Sequence, residues 1–132
     1  MGSRLRLLLD THALIWWLAG EQALSASARD AIADEDNEIA VSAASAMEIA
    51  AKFRIGKLPG AAVLAHDFEA IIAGQGFCEL PISVHHARLA GGMNIAHRDP
   101  FDRMLIAQAQ AEDRVLVSKE AMFDAFAIKR LW

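Results

Sequence analysis

Asp10, Glu48, Asp99 and Asp102 are the residues whose surroundings suggest chemistry: they sit in LLLDTHALIWWL, SAASAMEIAAKF and HRDPFDRMLIAQA. An acid inside apolar sequence is costly unless something pairs with it. Each one also has a structural account. Asp10 reads as the N-cap of a helix starting at Thr11, and Asp is among the best caps. Glu48 follows Ser45 by three residues, the spacing of a capping box, and precedes Lys52 by four, the spacing of a helical ion pair. Asp99 is placed as a second N-cap, with Pro100 at the first helical position and Asp102 in the first turn, where an acid complements the helix dipole.

Jointly the pattern asks for more than caps. Asp10 ends one apolar run, Ser118 and Glu120 end another, and a parallel sheet would bring those two ends to one edge. Asp99 and Asp102, three apart, project from one side of a helix. Carboxylates converging in this way raise one another's pKa, so they call for hard cations with oxygen ligands, Mg²⁺ or Mn²⁺. Two such ions about 4 Å apart clamp the attacking and leaving oxygens of a phosphodiester displacement.

The elements that must position these acids are legible as alternating runs. Leu5–Leu9, Ile39–Val41 and Val115–Val117 read as buried strands, with Phe77–Leu80 and Ile128–Leu131 as weaker candidates. Helical spacing covers Thr11–Ala19, Ser27–Ala33, Ser45–Ile55, Ala61–Ala73, Val84–Ala90 and Pro100–Glu112. Strands alternating with helices predict an α/β fold built on a parallel sheet, covered on both faces, which is why its strands read as unbroken LLL and VLV. Trp16 and Trp17 differ by about 100° around their helix, so both cannot face one core stripe.

The chain has 132 residues, 55% of them hydrophobic, which suits one domain spanning 1–132 with a substantial core. Gly2 and Ser3 read as native residues or as a flexible, tag-derived start. The apolar runs fall short of the ~18 residues of a membrane span, and no signal-peptide pattern is present, so a cytoplasmic location without membrane contact is expected. Cys78 is the only cysteine and is expected to be a small buried hydrophobe. A net charge of −4 argues only weakly against a nucleic-acid partner, because acids gathered on cations would leave the remaining surface near neutral.

These stretches, with LVSKEAMFDAF and the terminal LW, resemble PIN-domain ribonucleases of the VapC toxin kind from Arg4 to Trp132. The resemblance implies a three-layer α/β/α fold with a five-stranded parallel sheet, and a metal-dependent endoribonuclease toxin inhibited by a cognate antitoxin. It implies Asp10 and Asp102 as direct ligands of Mg²⁺ or Mn²⁺, Glu48 and Asp99 completing its water shell or holding a second ion, and Ser45 and Ser118 as supporting hydroxyls. Glu120 stands where the family most often has Asp, with Asp124 as its substitute. Arg103, Lys52 and Arg54 become candidates for RNA phosphates, beside the plainer reading of solvated charge. A homodimer is also implied, and one of the two tryptophans is a candidate for a dimer contact or an antitoxin groove.

Other readings are weaker. The five histidines fit no zinc spacing, and His97-Arg98-Asp99 resembles a kinase catalytic loop without the Gly-rich loop or length that would support it. An aspartyl-phosphate fold with Asp10 as nucleophile would want a second Asp where His12 stands. A catalytically silent interaction module would be expected to lack some of the acids.

Overall fold

A computed structural model describes residues 4–132; the reading of Gly2 and Ser3 lies outside them. Five strands form one parallel sheet: β1 (Arg6–Leu9), β2 (Glu38–Ser42), β3 (Cys78–Leu80), β4 (Val115–Val117) and β5 (Arg130–Leu131), in the order β3-β2-β1-β4-β5. Among the described residues seven α-helices accompany them: α1 (Thr11–Ala19), α2 (Ala26–Ala33), α3 (Ala43–Arg54), α4 (Ala62–His66), α5 (Phe68–Gly74), α6 (Val84–Gly92) and α7 (Pro100–Ala111). Among the described residues no helix is long and apolar enough to cross a membrane.

The alternation of a strand sorts its side chains onto two faces, and the LLL run shows the sorting. Leu7 and Leu9 join a core with residues of α1, α2, α3, α4 and α5, whereas Leu8 joins Leu105, Ile106 and Ala109 of α7, Leu116 and Phe123 on the other face. All three leucines are fully buried. The result is the expected α/β/α sandwich.

Strand order reverses across β1: the chain moves outward to β2 and β3, then returns to lay β4 on β1's other side. At such a switch point the loops after neighbouring strands part and leave a crevice. Asp10 and Ser118 follow the two strands that flank it, and the Asp10 amide donates to the Val117 carbonyl at 3.1 Å.

Three sequence expectations need correction. The cap of α3 is Ser42, which accepts from the Ala44 amide, so the helix starts at Ala43 and Ser45 lies inside it rather than capping it. The segment 61–73 is not one helix: Pro59–Ala61 forms a 3-10 turn, and the backbone leaves helical geometry at Asp67, between α4 and α5. Cys78 is exposed rather than buried, because β3 is an edge strand. α1 stops as glycine chemistry would have it: Gly20 adopts φ 66°, its amide and that of Glu21 closing onto carbonyls of the last turn.

Two polar devices fix α7, which carries Asp102. Gln108 is fully buried, accepts from the Ser42 hydroxyl and donates to the Pro81 carbonyl, so the start of α3 and the middle of α7 are tied together. Arg103 spends all five of its N–H donors on backbone carbonyls: Nε on Ala90, Nη1 on Ile95 and His97, and Nη2 on Gly91 and Met93. The connection between α6 and α7 is therefore wound around one guanidinium. A lysine cannot reproduce that fork. Arg103→Lys should cost about 1.5–3 kcal/mol in chemical denaturation, with amide exchange accelerated across residues 90–97 and unchanged in β1. Unchanged stability would show that the carbonyls do not depend on the guanidinium.

Candidate metal centre

A cleft of about 300 Å³ opens at the carboxyl edge of the sheet, over the switch point, and Asp10, Glu48, Asp99, Asp102 and Glu120 all line it. They arrive from different elements: Asp10 from the end of β1, Glu48 from α3, Asp99 and Asp102 from the start of α7, and Glu120 from the loop after β4. Thr11, His12, Lys52, His97, Leu105 and Met122 complete the lining.

Asp10 is almost wholly buried. It accepts from the Ala13 amide at 2.8 Å, the capping bond expected of it, and the nearby Ser118 hydroxyl also favours its charged form. Burial nevertheless dominates and pushes its pKa up, with the Asp102 charge adding to the rise. The Asp102 carboxyl is also raised, first by burial and further by repulsion from Asp99 and Glu48; its hydrogen bond with His97 at 2.8 Å works the other way. The acids therefore feel one another: Asp102 raises Asp10, and Asp99 and Glu48 raise Asp102.

Glu48 and Asp99 each have partners of their own. Glu48 is buried, ion-paired with Lys52 and bound by the Thr11 hydroxyl at 2.6 Å. Thr11 has one proton and an ionised carboxylate only accepts, so the Ser45 hydroxyl, 3.0 Å from Thr11, is the donor in that contact. Asp99 caps α7 through the Phe101 and Asp102 amides at 2.9 and 3.1 Å. The buried Ser118 hydroxyl accepts from the Glu120 amide and so shapes the loop after β4.

Among the described residues no three of these groups are drawn together tightly enough to form a ready coordination sphere. The donor chemistry still fits a hard divalent cation: five carboxylates in one cleft, two of them with pKa values raised by burial and mutual repulsion that a cation would relieve.

Not every candidate residue reaches the cleft. Asp124 is exposed, held by a bidentate pair with Arg130 at 2.9 and 3.0 Å that lowers its pKa, and does not line the cleft; of the two last acids, Glu120 does. Arg103 has no donor left for a phosphate, which corrects its reading as an RNA contact. Arg54 is exposed at the end of α3 and lies outside the lining, whereas Lys52 is inside it but engaged with Glu48. Sequence reasoning passed over Thr11 and His97, the residues that hold Glu48 and Asp102. The signals were a hydroxyl directly after Asp10 and a histidine five residues before Asp102.

With that geometry established, a family model described as "PIN domain" matches residues 7–129. The chain belongs to the PIN domain family. Three solved structures similar to this PIN domain are VapBC2 from Rickettsia felis bound to a promoter DNA fragment, a toxin-antitoxin complex from Klebsiella pneumoniae, and DNA-bound VapBC from Salmonella typhimurium. Identities are 15%, 21% and 16%, with TM-scores of 0.65, 0.64 and 0.65. Coverage is 96%, 90% and 96% of this chain and 97%, 90% and 96% of theirs. No curated protein matches the sequence.

Because the folded-state pKa of Asp10 lies above its unfolded value, the folded protein takes up its proton first, and cation-free stability falls as pH rises through that interval. Asn caps a helix as well as Asp does but carries no charge. Cation-free Asp10→Asn should therefore melt at or above the wild-type temperature at neutral pH, while the increase in Tm caused by Mn²⁺ shrinks. A lower cation-free Tm with an unchanged Mn²⁺ response would make Asp10 a cap and nothing more.

Proposed function

We propose that this PIN domain is a divalent-metal-dependent endoribonuclease of the VapC toxin kind, hydrolysing RNA phosphodiester bonds and held in check by an antitoxin. The observation that carries the reading is the gathering of five carboxylates from four separate parts of the chain in one cleft at the switch point. Caps and an ion pair account for Asp10, Asp99 and Glu48 singly, but they give no reason for gathering five acids around one cleft with two of them buried.

Asp10 and Asp102, the two with raised pKa values, would hold Mg²⁺ or Mn²⁺ directly, with Glu48, Asp99 and Glu120 around them. When bound, the cation supplies charge to offset the phosphodiester and acidifies the attacking water. The protein's own side chains do the positioning. Thr11 and Lys52 hold Glu48, His97 holds Asp102, and the caps at Ala13 and at Phe101 and Asp102 fix Asp10 and Asp99. No side-chain nucleophile is required. Ser45 and Ser118 serve as buried hydroxyls that keep Thr11 and Asp10 in place.

The antitoxin part of the reading draws on the neighbours, which are toxin-antitoxin complexes, and on a second surface of α1. Ile15 and Leu18 line an apolar groove of about 570 Å³ together with Leu58, Val63, Leu64 and Ile71, apolar surface of the kind an amphipathic segment of a partner covers. Val63 is 67% exposed there. A homodimer belongs to the same reading, with exposed Ile82 and Val84 beside and at the start of α6 offering apolar surface.

Purified protein should cleave RNA in Mg²⁺ or Mn²⁺ and stop on addition of EDTA. Asp102→Asn should lower the cleavage rate at least a hundredfold with little change in Tm. Cleavage that survives both EDTA and Asp102→Asn would overturn the mechanism, and the absence of cleavage on any RNA tested would favour a silent interaction module.

A further inference from the structure

Beside the acidic cleft lies a group of side chains that the metal reading does not use. His12 is exposed and lines the cleft, next to Asp10 in sequence. Its ring sits 5.5 Å from that of Trp16, the two planes inclined by 35°, so an indole braces the imidazole from one turn further along α1. Trp16 is itself half-buried, packed on the core and 5.8 Å from the Trp132 ring, which holds it in place. The exposed Lys119 carries its ammonium over Trp16, 5.9 Å from the ring centroid, on the loop that also bears Glu120.

A rigid aromatic ring open to solvent, backed by a second ring and flanked by a cation, is the arrangement on which an unstacked nucleobase rests while a lysine attracts its backbone. A core-filling account explains Trp16 but leaves an exposed imidazole on the cleft wall with no hydrogen-bond partner among the described residues. We propose that the His12 ring, braced by Trp16 and accompanied by Lys119, is a stacking platform for a base of single-stranded RNA beside the phosphate held at the acidic cleft. The inference rests on the ribonuclease reading and deepens it by naming the side chains that would hold a base beside the cleft; a base in a duplex is already stacked and cannot settle on the ring. Stacking tolerates every base, so the platform sets strand character rather than sequence.

The test is a fluorescence titration with a single-stranded RNA 12-mer of mixed sequence and with the same RNA annealed into a duplex. EDTA and low salt keep the readout independent of the cation and of cleavage. Binding of the single strand is expected to quench tryptophan fluorescence, with the duplex at least tenfold weaker. His12→Ala should weaken single-strand binding roughly 5- to 100-fold without changing Tm, in line with the loss of one stacked base. His12→Phe should restore most of it, which neither a hydrogen-bonding nor a charge role would allow. Lys119→Gln should weaken single strand and duplex alike and flatten the salt dependence. Equal binding of the two RNAs, no detectable binding of the single strand, an unaffected His12→Ala, or a His12→Phe as weak as His12→Ala would each overturn the platform. A protein that binds single strands through His12 but cleaves no RNA would keep the platform and remove the nuclease; one that cleaves RNA in Mg²⁺ with His12→Ala unaffected would do the reverse.

Discussion

The burial of Asp10 and Glu48 at the switch point, in one cleft with three further acids, is the constraint around which the rest of this molecule is arranged. Asp10 lies where β1 ends, and the reversal of strand order leaves the space above it open, so acids from α3, α7 and the loop after β4 can meet there. Burial and mutual charge raise Asp10 and Asp102 together. Such a cluster is tolerated only if each member has a partner or all of them share one.

For four of the five acids the first solution holds. Lys52 and Thr11 occupy Glu48, His97 occupies Asp102, and helix amides occupy Asp10 and Asp99. These contacts keep the acids on separate supports, which is why no three of them already form a coordination sphere among the described residues. The supports are in turn held by the frame. Ser42 and Gln108 couple α3 to α7, and the Arg103 fork shapes the chain that delivers His97 and Asp99. The arginine that looked like a phosphate ligand thus acts on the backbone.

Much of this was readable before any coordinates. The parallel sheet followed from unbroken apolar runs between helical spacings, and the caps at Asp10 and Asp99 from local chemistry that depends only on neighbours in sequence. What escaped was set by contacts distant along the chain. Ser42 beats Ser45 as the cap of α3 because β2 runs one residue further than its apolar stretch, and Ser45 is then free to meet Thr11, 34 residues away. Glu120 and Asp124 could not be separated by type or spacing; in the fold Glu120 lines the cleft, while Asp124 pairs with Arg130 on β5. The apolar periodicity of 61–73 hid a break, since α4 and α5 still turn Leu64, Phe68 and Ile72 onto the same core. Trp16 and Trp17 both pack against the core that Leu7 and Leu9 join, contrary to the expectation from their offset of about 100°, Trp16 beside Trp132 and Trp17 beside Phe77.

The second solution, one shared cation in place of separate partners, is the central claim, and a crystal soaked in Mn²⁺ tests it most directly. An anomalous peak about 2.1 Å from carboxylate oxygens of both Asp10 and Asp102 is the expected result. Mn²⁺ bound only to surface acids, or absent, with Asp102 still on His97 and Asp10 still on the Ala13 amide, would contradict it.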